Sequence, residues 1–211
     1  MTPKTIRIIL LSFLFTAAAT AVHSASLVQG RIYLKDGRVI ECEEKDRLKI
    51  PKHKKDVKLF RRAYYKDKSK EVYAYGDIDS IVCWHPASPQ HTRTFIPSEP
   101  AGWLWQYFRT PEICAGVYSH KGYGVDDNGG IEVWVKHRYF SRSRAAYYLC
   151  KRGEAEFYVA GSASRKANDS FRERVAEYIY DDPTLAETIL SSNEDRSGTI
   201  LLLRYYTPSR H

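Results

Sequence analysis

Short stretches of alternating apolar and polar residues occupy most of the chain between residues 26 and 162, and they constrain the fold more than any other feature. A period of two places successive side chains on opposite faces, which is typical of a half-buried β-strand. The clearest example runs through residues 31–34, the dipeptide Asp36-Gly37 and residues 40–42. Asp-Gly between two alternating runs predicts a β-hairpin, because the turn requires positive φ angles.

In the last quarter of the chain the apolar residues recur with the helical period instead. Ser170 is followed three residues later by Glu173, a capping-box pattern that predicts the start of a helix. Asp182-Pro183 predicts that a second helix begins where the first ends, since aspartate caps a helix and proline fits its first turn. Residues 199–206 fit either a buried strand or a short helix.

These patterns predict an α+β fold that is mostly β. We expect a signal peptide at residues 1–24, a small β-barrel at residues 25–86, and a module of β-hairpins with two or three C-terminal helices at residues 101–211. Residues 87–100 include several prolines among polar residues and predict a linker between the two modules.

Two parts of the chain resemble known families. The segment LKDGRVIEC at residues 34–42, the short strands after it and the segment IDSIVCW at residues 78–84 resemble Sm-like small barrels. Residues 145–207 are similar to the C-terminal part of a group of uncharacterised exported bacterial proteins, which share a hairpin, an F-x-x-x-V-A-E-Y helix, a D-D-P-x-L break and a final R-Y-Y run. The final run is helical in that group, so the resemblance implies a helix at residues 199–206. It implies no activity.

The N-terminus has the order of residue types that defines a secretory signal peptide. Lys4 and Arg7 precede an almost wholly apolar run at residues 8–22, and small residues follow. We therefore expect cleavage after Ser24 or Ala25 and an exported protein, either periplasmic or secreted. An uncleaved anchor is the alternative, but the run is short and rich in alanine. No later segment is apolar enough to cross a bilayer, so we expect no transmembrane segment in the mature chain.

Four cysteines follow the predicted cleavage site: Cys42, Cys83, Cys114 and Cys150. An even number of cysteines in an exported chain indicates two disulfides. Because each predicted module contains two of the four, we expect the pairs Cys42–Cys83 and Cys114–Cys150.

A metal site is the alternative use of these cysteines. Cys83 and His85 would share one face of a strand, with Cys42 and His91 as further ligands. This spacing matches no zinc pattern, and the acidic run at residues 126–130 lacks the later carboxylate of a calcium loop. We therefore expect neither a metal nor a cofactor.

The net charge of +8 is concentrated in one segment, since residues 43–70 hold 12 Lys or Arg against 5 Asp or Glu. We expect a basic patch made of Lys52, Lys54, Lys55 and Lys58, with Arg62 at its margin. Such a patch attracts an anionic glycan, lipid headgroups or an acidic protein. Nucleic acid is not expected as a partner, because no base-stacking module is evident. The alternative is that these lysines protect exposed edge strands from pairing with other chains.

The remaining candidate residues favour binding over catalysis. Trp103 and Trp105 form either an aromatic platform for a glycan ring or one packed face of a sheet. Ser119 and His120 are adjacent, so on a strand their side chains point to opposite faces and cannot act together. No nucleophile elbow, zinc-protease, P-loop or dinucleotide fingerprint occurs in the sequence. We therefore expect a non-catalytic binding or interaction protein, with an envelope-polymer hydrolase as the alternative.

Overall fold

The structure is a computed structural model that describes residues 27–99, 101–120, 122–125, 131–133, 145–163 and 169–209. The predicted signal peptide and the acidic run at residues 126–130 lie outside these residues. Within the described residues, strands and short turns alternate as far as residue 162, and helices follow.

The fold is mostly β, with three α-helices at the C-terminal end of the described chain, as the sequence predicts. The strands are β1 (Leu27–Leu34), β2 (Val39–Glu41), β3 (Arg47–Lys49), β4 (Val57–Arg61), β5 (Ser69–Tyr73), β6 (Ile78–His85), β7 (Ser88–Ser98), β8 (Gly102–Arg109), β9 (Ile113–Ser119), β10 (Tyr123–Val125), β11 (Ile131–Val133), β12 (Ala145–Lys151) and β13 (Tyr158–Ser162). The helices are α1 (Asp169–Tyr178), α2 (Pro183–Ser191) and α3 (Arg196–Leu202), and 3-10 turns occupy Tyr75–Asp77 and Leu203–Tyr205.

Eleven of the described strands form one antiparallel sheet, in the order β13-β12-β9-β8-β7-β6-β1-β3-β4-β5, with β2 also paired to β1. β10 and β11 pair separately. The first hairpin forms as predicted: Ile32 on β1 pairs with Ile40 on β2, and Gly37 in the turn has a φ of 88°. Only glycine adopts that angle without strain, which explains the Asp-Gly turn.

The expected closed barrel is not formed by the described N-terminal strands, because the sheet has free edges at β5 and β13. β1 is already paired with β6 along one side and with β2 and β3 along the other. No edge of β1 is therefore left for β5, and the strands curl without closing. A cavity of about 530 Å³ lies between the end of β5 and the hairpin turn at residues 34–38.

The linker predicted at residues 87–100 is wrong, because most of that segment is strand β7. β7 pairs with β6 at residues 93–95 and with β8 at residues 95–98. Pro89 and Pro97 both lie outside the short stretch that is paired on both sides, so their missing N–H groups leave the centre of the sheet intact. The two predicted modules therefore share one continuous sheet.

The described residues form two main apolar cores, which meet at Trp105. The first lies among the N-terminal strands and includes Ile32, Ile81, Phe95 and Trp103, all fully buried. The second packs β8, β9 and β12 against the three helices and includes Phe171 of α1. Burial of each large apolar side chain contributes about 1.5–3 kcal/mol, so both cores are substantial.

One of the two predicted helix starts is confirmed, at Asp182-Pro183, whereas α1 begins at Asp169, one residue before the predicted cap Ser170. Asp182 caps α2 by accepting a hydrogen bond from the backbone N–H of Leu185 at 3.1 Å, and Pro183 is its first residue. The ambiguous run at residues 199–206 is helical as far as Tyr205, as the C-terminal resemblance implies. α3 starts three residues earlier than this run, because Asp195 caps it through the backbone N–H of Gly198 at 2.8 Å. None of the described helices is long and apolar enough to span a bilayer.

Candidate functional site

The loop between β3 and β4 curls around a pocket of about 240 Å³. We call residues 49–58 the lysine loop and this cavity the lysine pocket. The pocket is lined by four lysines together with a histidine, an aspartate and two apolar residues: Lys49, Lys52, Lys55, Lys58, His53, Asp56, Ile50 and Pro51. Ile50 and Pro51 are buried, so they fix the base of the loop while the charged side chains stay accessible.

Hydrogen bonds from the start of β8 hold the lysine loop. The backbone N–H of Trp103 donates to the carbonyl of His53 at 2.9 Å, and the Trp103 indole Nε1 donates to the carbonyl of Lys55 at 2.9 Å. A third bond joins His53 Nδ1 and the Tyr118 hydroxyl of β9 at 2.7 Å. Strands of the predicted second module thus fasten a loop of the first.

Two glycines permit this close approach. Gly102 has a φ of 102°, and a Cβ atom there would lie 2.5 Å from the carbonyl carbon of His53. Gly122 has a φ of 84°, and a Cβ atom there would lie 2.7 Å from Cε of Lys52. Any other residue would be strained at both positions, and at Gly102 it would also collide with the backbone of the lysine loop.

The charges of the lysine pocket are not balanced. None of its four lysines forms an ion pair with another residue in the described part of the chain. In the β3–β4 ladder Leu48 pairs with Leu59, and continuing that register by one residue places Lys49 opposite Lys58. Like charges directly opposite on paired strands are destabilising. The carboxylate of Asp56 is the one acidic group in the lining, and its Oδ1 accepts the backbone N–H of Tyr75 at 3.0 Å.

The structure brings together three of the five basic residues predicted for the patch. Lys52, Lys55 and Lys58 line the lysine pocket. Lys54 is excluded from the lining because it forms an ion pair with Glu99. Arg62 lies in the turn after β4, where it pairs with an aspartate and stacks on a tyrosine, so its place at the margin of the patch is wrong.

Lys49 was missed by the sequence argument, although a signal for it exists. Its neighbours Leu48 and Ile50 are both buried, so alternation directs Lys49 to the outer face of the strand. Lys58 lies between the buried Val57 and Leu59 in the same way. Both lysines therefore reach the pocket from the two strands that the loop connects.

Arg61 is removed from the basic surface by a separate network. It forms ion pairs with Asp46 at 2.6 Å and Glu71 at 2.8 Å. Burial alone would raise the pKa of Asp46, but hydrogen bonds from the N–H of Arg62 and from Arg61 outweigh it and hold that pKa below its usual value. This network closes the turn after β4 and leaves the Arg61 charge neutralised.

The predicted aromatic platform is wrong for Trp103, which is fully buried and therefore cannot stack on a sugar ring. Its role is to anchor the lysine loop. Trp105, two residues further along β8, is half-buried, packs against both main cores and carries the guanidinium of Arg93 at 5.4 Å from its ring centroid.

All four cysteines are free thiols in this structure. Cys114 on β9 and Cys150 on β12 are directly paired across neighbouring strands. Cys42 and Cys83 lie on opposite sides of β1. On one side Gly30 of β1 pairs with Cys83, and on the other side the carbonyl of Gly30 accepts the N–H of Cys42 at 3.0 Å. The structure therefore places Cys114 directly beside Cys150, whereas strand β1 lies between Cys42 and Cys83.

A second charged cluster fastens the helices to the β12–β13 hairpin, and the sequence analysis did not find it. The Lys151 ammonium lies 2.7 Å from Asp181 and 4.9 Å from the ring centroid of Tyr178. Burial alone would raise the pKa of Asp181, but hydrogen bonds from Lys151 and the Tyr206 hydroxyl hold it below its usual value. Because the cation and the carboxylate neutralise each other, this cluster is structural.

Comparison of the chain with protein-family models, with curated proteins and with solved structures found no significant match. Both resemblances drawn from the sequence therefore stay predictions. Among the described residues, no group of three or more His, Cys, Asp or Glu side chains is arranged to hold a metal ion. The lysine pocket, defined by its geometry and its charge, is the strongest candidate site.

Proposed function

We propose that this protein is an exported, non-catalytic binding protein that holds an anionic group of its ligand in the lysine pocket. The observation that carries the proposal is the convergence of four lysines without acidic partners in the described chain on one cavity. Unpaired like charges at close range raise the free energy of the folded protein, and a bound anion lowers it. Lys54, next to the pocket, is in contrast paired with Glu99.

The rigid attachment of the lysine loop supports the same function. Three hydrogen bonds to β8 and β9 hold the loop in place. A preformed loop loses little conformational entropy on binding, so more of the electrostatic attraction is expressed as affinity. Edge protection, the alternative reason for the lysines, requires neither a pocket nor an anchored loop.

The hydrolase alternative receives less support from this pocket. Hydrolysis of a polymer needs two acids across a cleft, or a nucleophile beside a base. The lining contains one carboxylate, Asp56, and one histidine, His53, whose Nδ1 is bonded to the phenol of Tyr118. This set suits the holding of an anion better than the activation of a nucleophile.

Retention on an immobilised polyanion such as heparin tests the proposal. A variant with Lys49, Lys52, Lys55 and Lys58 changed to Gln should elute at much lower salt than the unaltered protein. The matched control changes four exposed lysines outside the pocket to Gln: Lys35, Lys66, Lys68 and Lys70. Both variants lose the same net charge, so equal elution of the two would refute a role for the pocket.

Export is tested separately by the intact mass of the protein recovered outside the cytoplasm. We expect a mass that corresponds to cleavage after Ser24 or Ala25. A recovered protein that retains residues 1–24 would contradict cleavage, failure to recover the protein outside the cytoplasm would contradict export, and neither result would affect the pocket.

A further inference from the structure

The size of the lysine pocket restricts the ligand group that it accepts. Its volume is about 240 Å³. A water molecule occupies roughly 30 Å³ of liquid, so the pocket has room for only about eight water volumes. Pockets for drug-sized molecules begin at about 300 Å³. The pocket therefore fits a compact group, either free or at the end of a larger molecule, and not several sugar rings of a polymer.

The charge of the pocket restricts the group further. Its four lysines and Asp56 leave a net charge of +3 in the lining. A phosphoryl group with one ester bond carries about −1.5 to −2 at pH 7. Two such groups carry about −3 to −4 and match the pocket, whereas a sulfate ester or a carboxylate, each with a single negative charge, leaves most of the pocket's positive charge unbalanced.

The type of basic residue agrees with this chemistry. All four cations are lysines, and each ammonium acts as a compact point charge with three donors. Arginine binds carboxylates and phosphates alike through two parallel hydrogen bonds, whereas several lysine ammonium groups act as point charges that surround one tetrahedral phosphoryl group from different sides. Lys49 and Lys58, opposite each other at the end of the β3–β4 ladder, are placed to hold one phosphoryl group between them.

We infer that the ligand of the lysine pocket carries two neighbouring phosphoryl groups, as a diphosphate does. This inference rests on the proposed function, because it names the chemistry of the anion that the same site would hold. The diphosphate group belongs either to a soluble molecule or to a lipid headgroup, and the pocket recognises the chemistry that the two share.

Titration calorimetry of the full protein with inorganic diphosphate, orthophosphate and sulfate tests the inference. We expect diphosphate to bind at least about tenfold more tightly than either smaller anion, since two phosphoryl groups engage all four lysines. Lys49→Gln and Lys58→Gln should each weaken diphosphate binding by about fivefold or more, because each removes one charge in close contact. Lys68→Gln, outside the pocket, is the matched control and should change the affinity little.

Thermal unfolding supplies a readout that separates binding from structure. Lys58→Gln removes one member of the opposed lysine pair, so without ligand the variant should unfold at a higher temperature than the unaltered protein. Added diphosphate should raise the unfolding temperature of the variant less than that of the unaltered protein. A Lys58→Gln variant that is both less stable and unimpaired in binding would overturn the inference.

The outcomes of the two tests are distinguishable. Lysine-dependent retention on heparin with equal affinity for diphosphate and sulfate would overturn the diphosphate inference and keep the proposed function. If the pocket lysines affect neither retention on heparin nor the affinity for diphosphate, both the proposed function and the diphosphate inference are overturned. Flotation with phosphatidylcholine vesicles that contain a lipid diphosphate shows whether the diphosphate belongs to a lipid or to a soluble molecule. Vesicle binding that soluble diphosphate competes away supports the lipid form. Binding to inorganic diphosphate without flotation supports the soluble form.

Discussion

Replacement of Trp103 by phenylalanine should loosen the lysine loop while leaving the protein folded. The change removes the hydrogen bond from the indole Nε1 to the carbonyl of Lys55, which contributes about 1 kcal/mol to stability. Trp103 is fully buried, so the smaller ring also leaves a cavity that costs roughly another 1–2 kcal/mol. We expect a total loss of about 2–3 kcal/mol in the free energy of unfolding.

Only the hydrogen-bond part of this loss acts on the lysine loop. A loop whose docking is weakened by about 1 kcal/mol lowers the affinity of the pocket by up to about fivefold, because the binding-competent conformation is less populated. Urea denaturation measures the first effect, and elution from heparin with diphosphate calorimetry measures the second. Trp105→Phe, on the same strand, is the matched control and should reduce stability without weakening binding. Unchanged binding in Trp103→Phe, or equal loss in both variants, would refute the anchoring role.

Two further predictions concern the backbone near the loop and the helical cluster. Gly102→Ala should destabilise the protein and weaken anion binding more than Gly153→Ala does. Both glycines have positive φ, but only at Gly102 does a Cβ atom meet the backbone of the lysine loop. Equal effects of the two substitutions in denaturation and in heparin elution would show that φ strain alone matters. The pKa of Asp181 is lower in the folded protein than in the unfolded chain, so ionised Asp181 stabilises the fold above the ordinary aspartate pKa of about 3.9, and this stability is lost as the pH falls through the lower folded value. The free energies of unfolding of the unaltered protein and of Asp181→Asn, measured from pH 6 to pH 2, should therefore converge in acid. Parallel curves would contradict this linkage.

Local chemistry made the hairpins and helices predictable. Asp36-Gly37 specifies its turn through positive φ, and Asp182 specifies the start of α2 through a side-chain bond to the backbone. Each of these signals depends on residues within four positions of one another. Such signals are readable in one sequence because no distant part of the chain has to be known.

Features that depend on pairing between distant strands were not predictable. The prolines of residues 87–100 indicate a break locally, but the sheet tolerates Pro97 because β7 is paired on one side only at that point. The burial of Trp103 and its bond to Lys55 depend on the docking of a loop 48 positions away in sequence. The position of Lys49 opposite Lys58, which continues the register beyond the last pair Leu48–Leu59, likewise depends on the pairing of β3 with β4, which composition does not reveal.

Strand order also makes the two expected disulfides unequal. Directly paired residues of antiparallel strands have Cα atoms about 4.5–5.5 Å apart, which lies within the range of about 4.4–6.8 Å that a disulfide spans. Cys114 and Cys150 are such a pair. Cys42 and Cys83 are separated by β1, and two strand spacings amount to about 9.5 Å, which a disulfide does not bridge without backbone movement.

We therefore predict that oxidation in a glutathione buffer joins Cys114 to Cys150 and leaves Cys42 and Cys83 as thiols. Burial raises the pKa of all four thiols, so none of them is an activated thiolate, and the prediction rests on the distance between the paired residues. Peptide mapping without reduction, after alkylation of free thiols, identifies the bridge. The bridge should raise the free energy of unfolding by about 2–4 kcal/mol, and Cys150→Ser should abolish that gain while Cys42→Ser should not. A peptide that joins Cys42 to Cys83 would show that β1 moves aside or that the strand order is wrong.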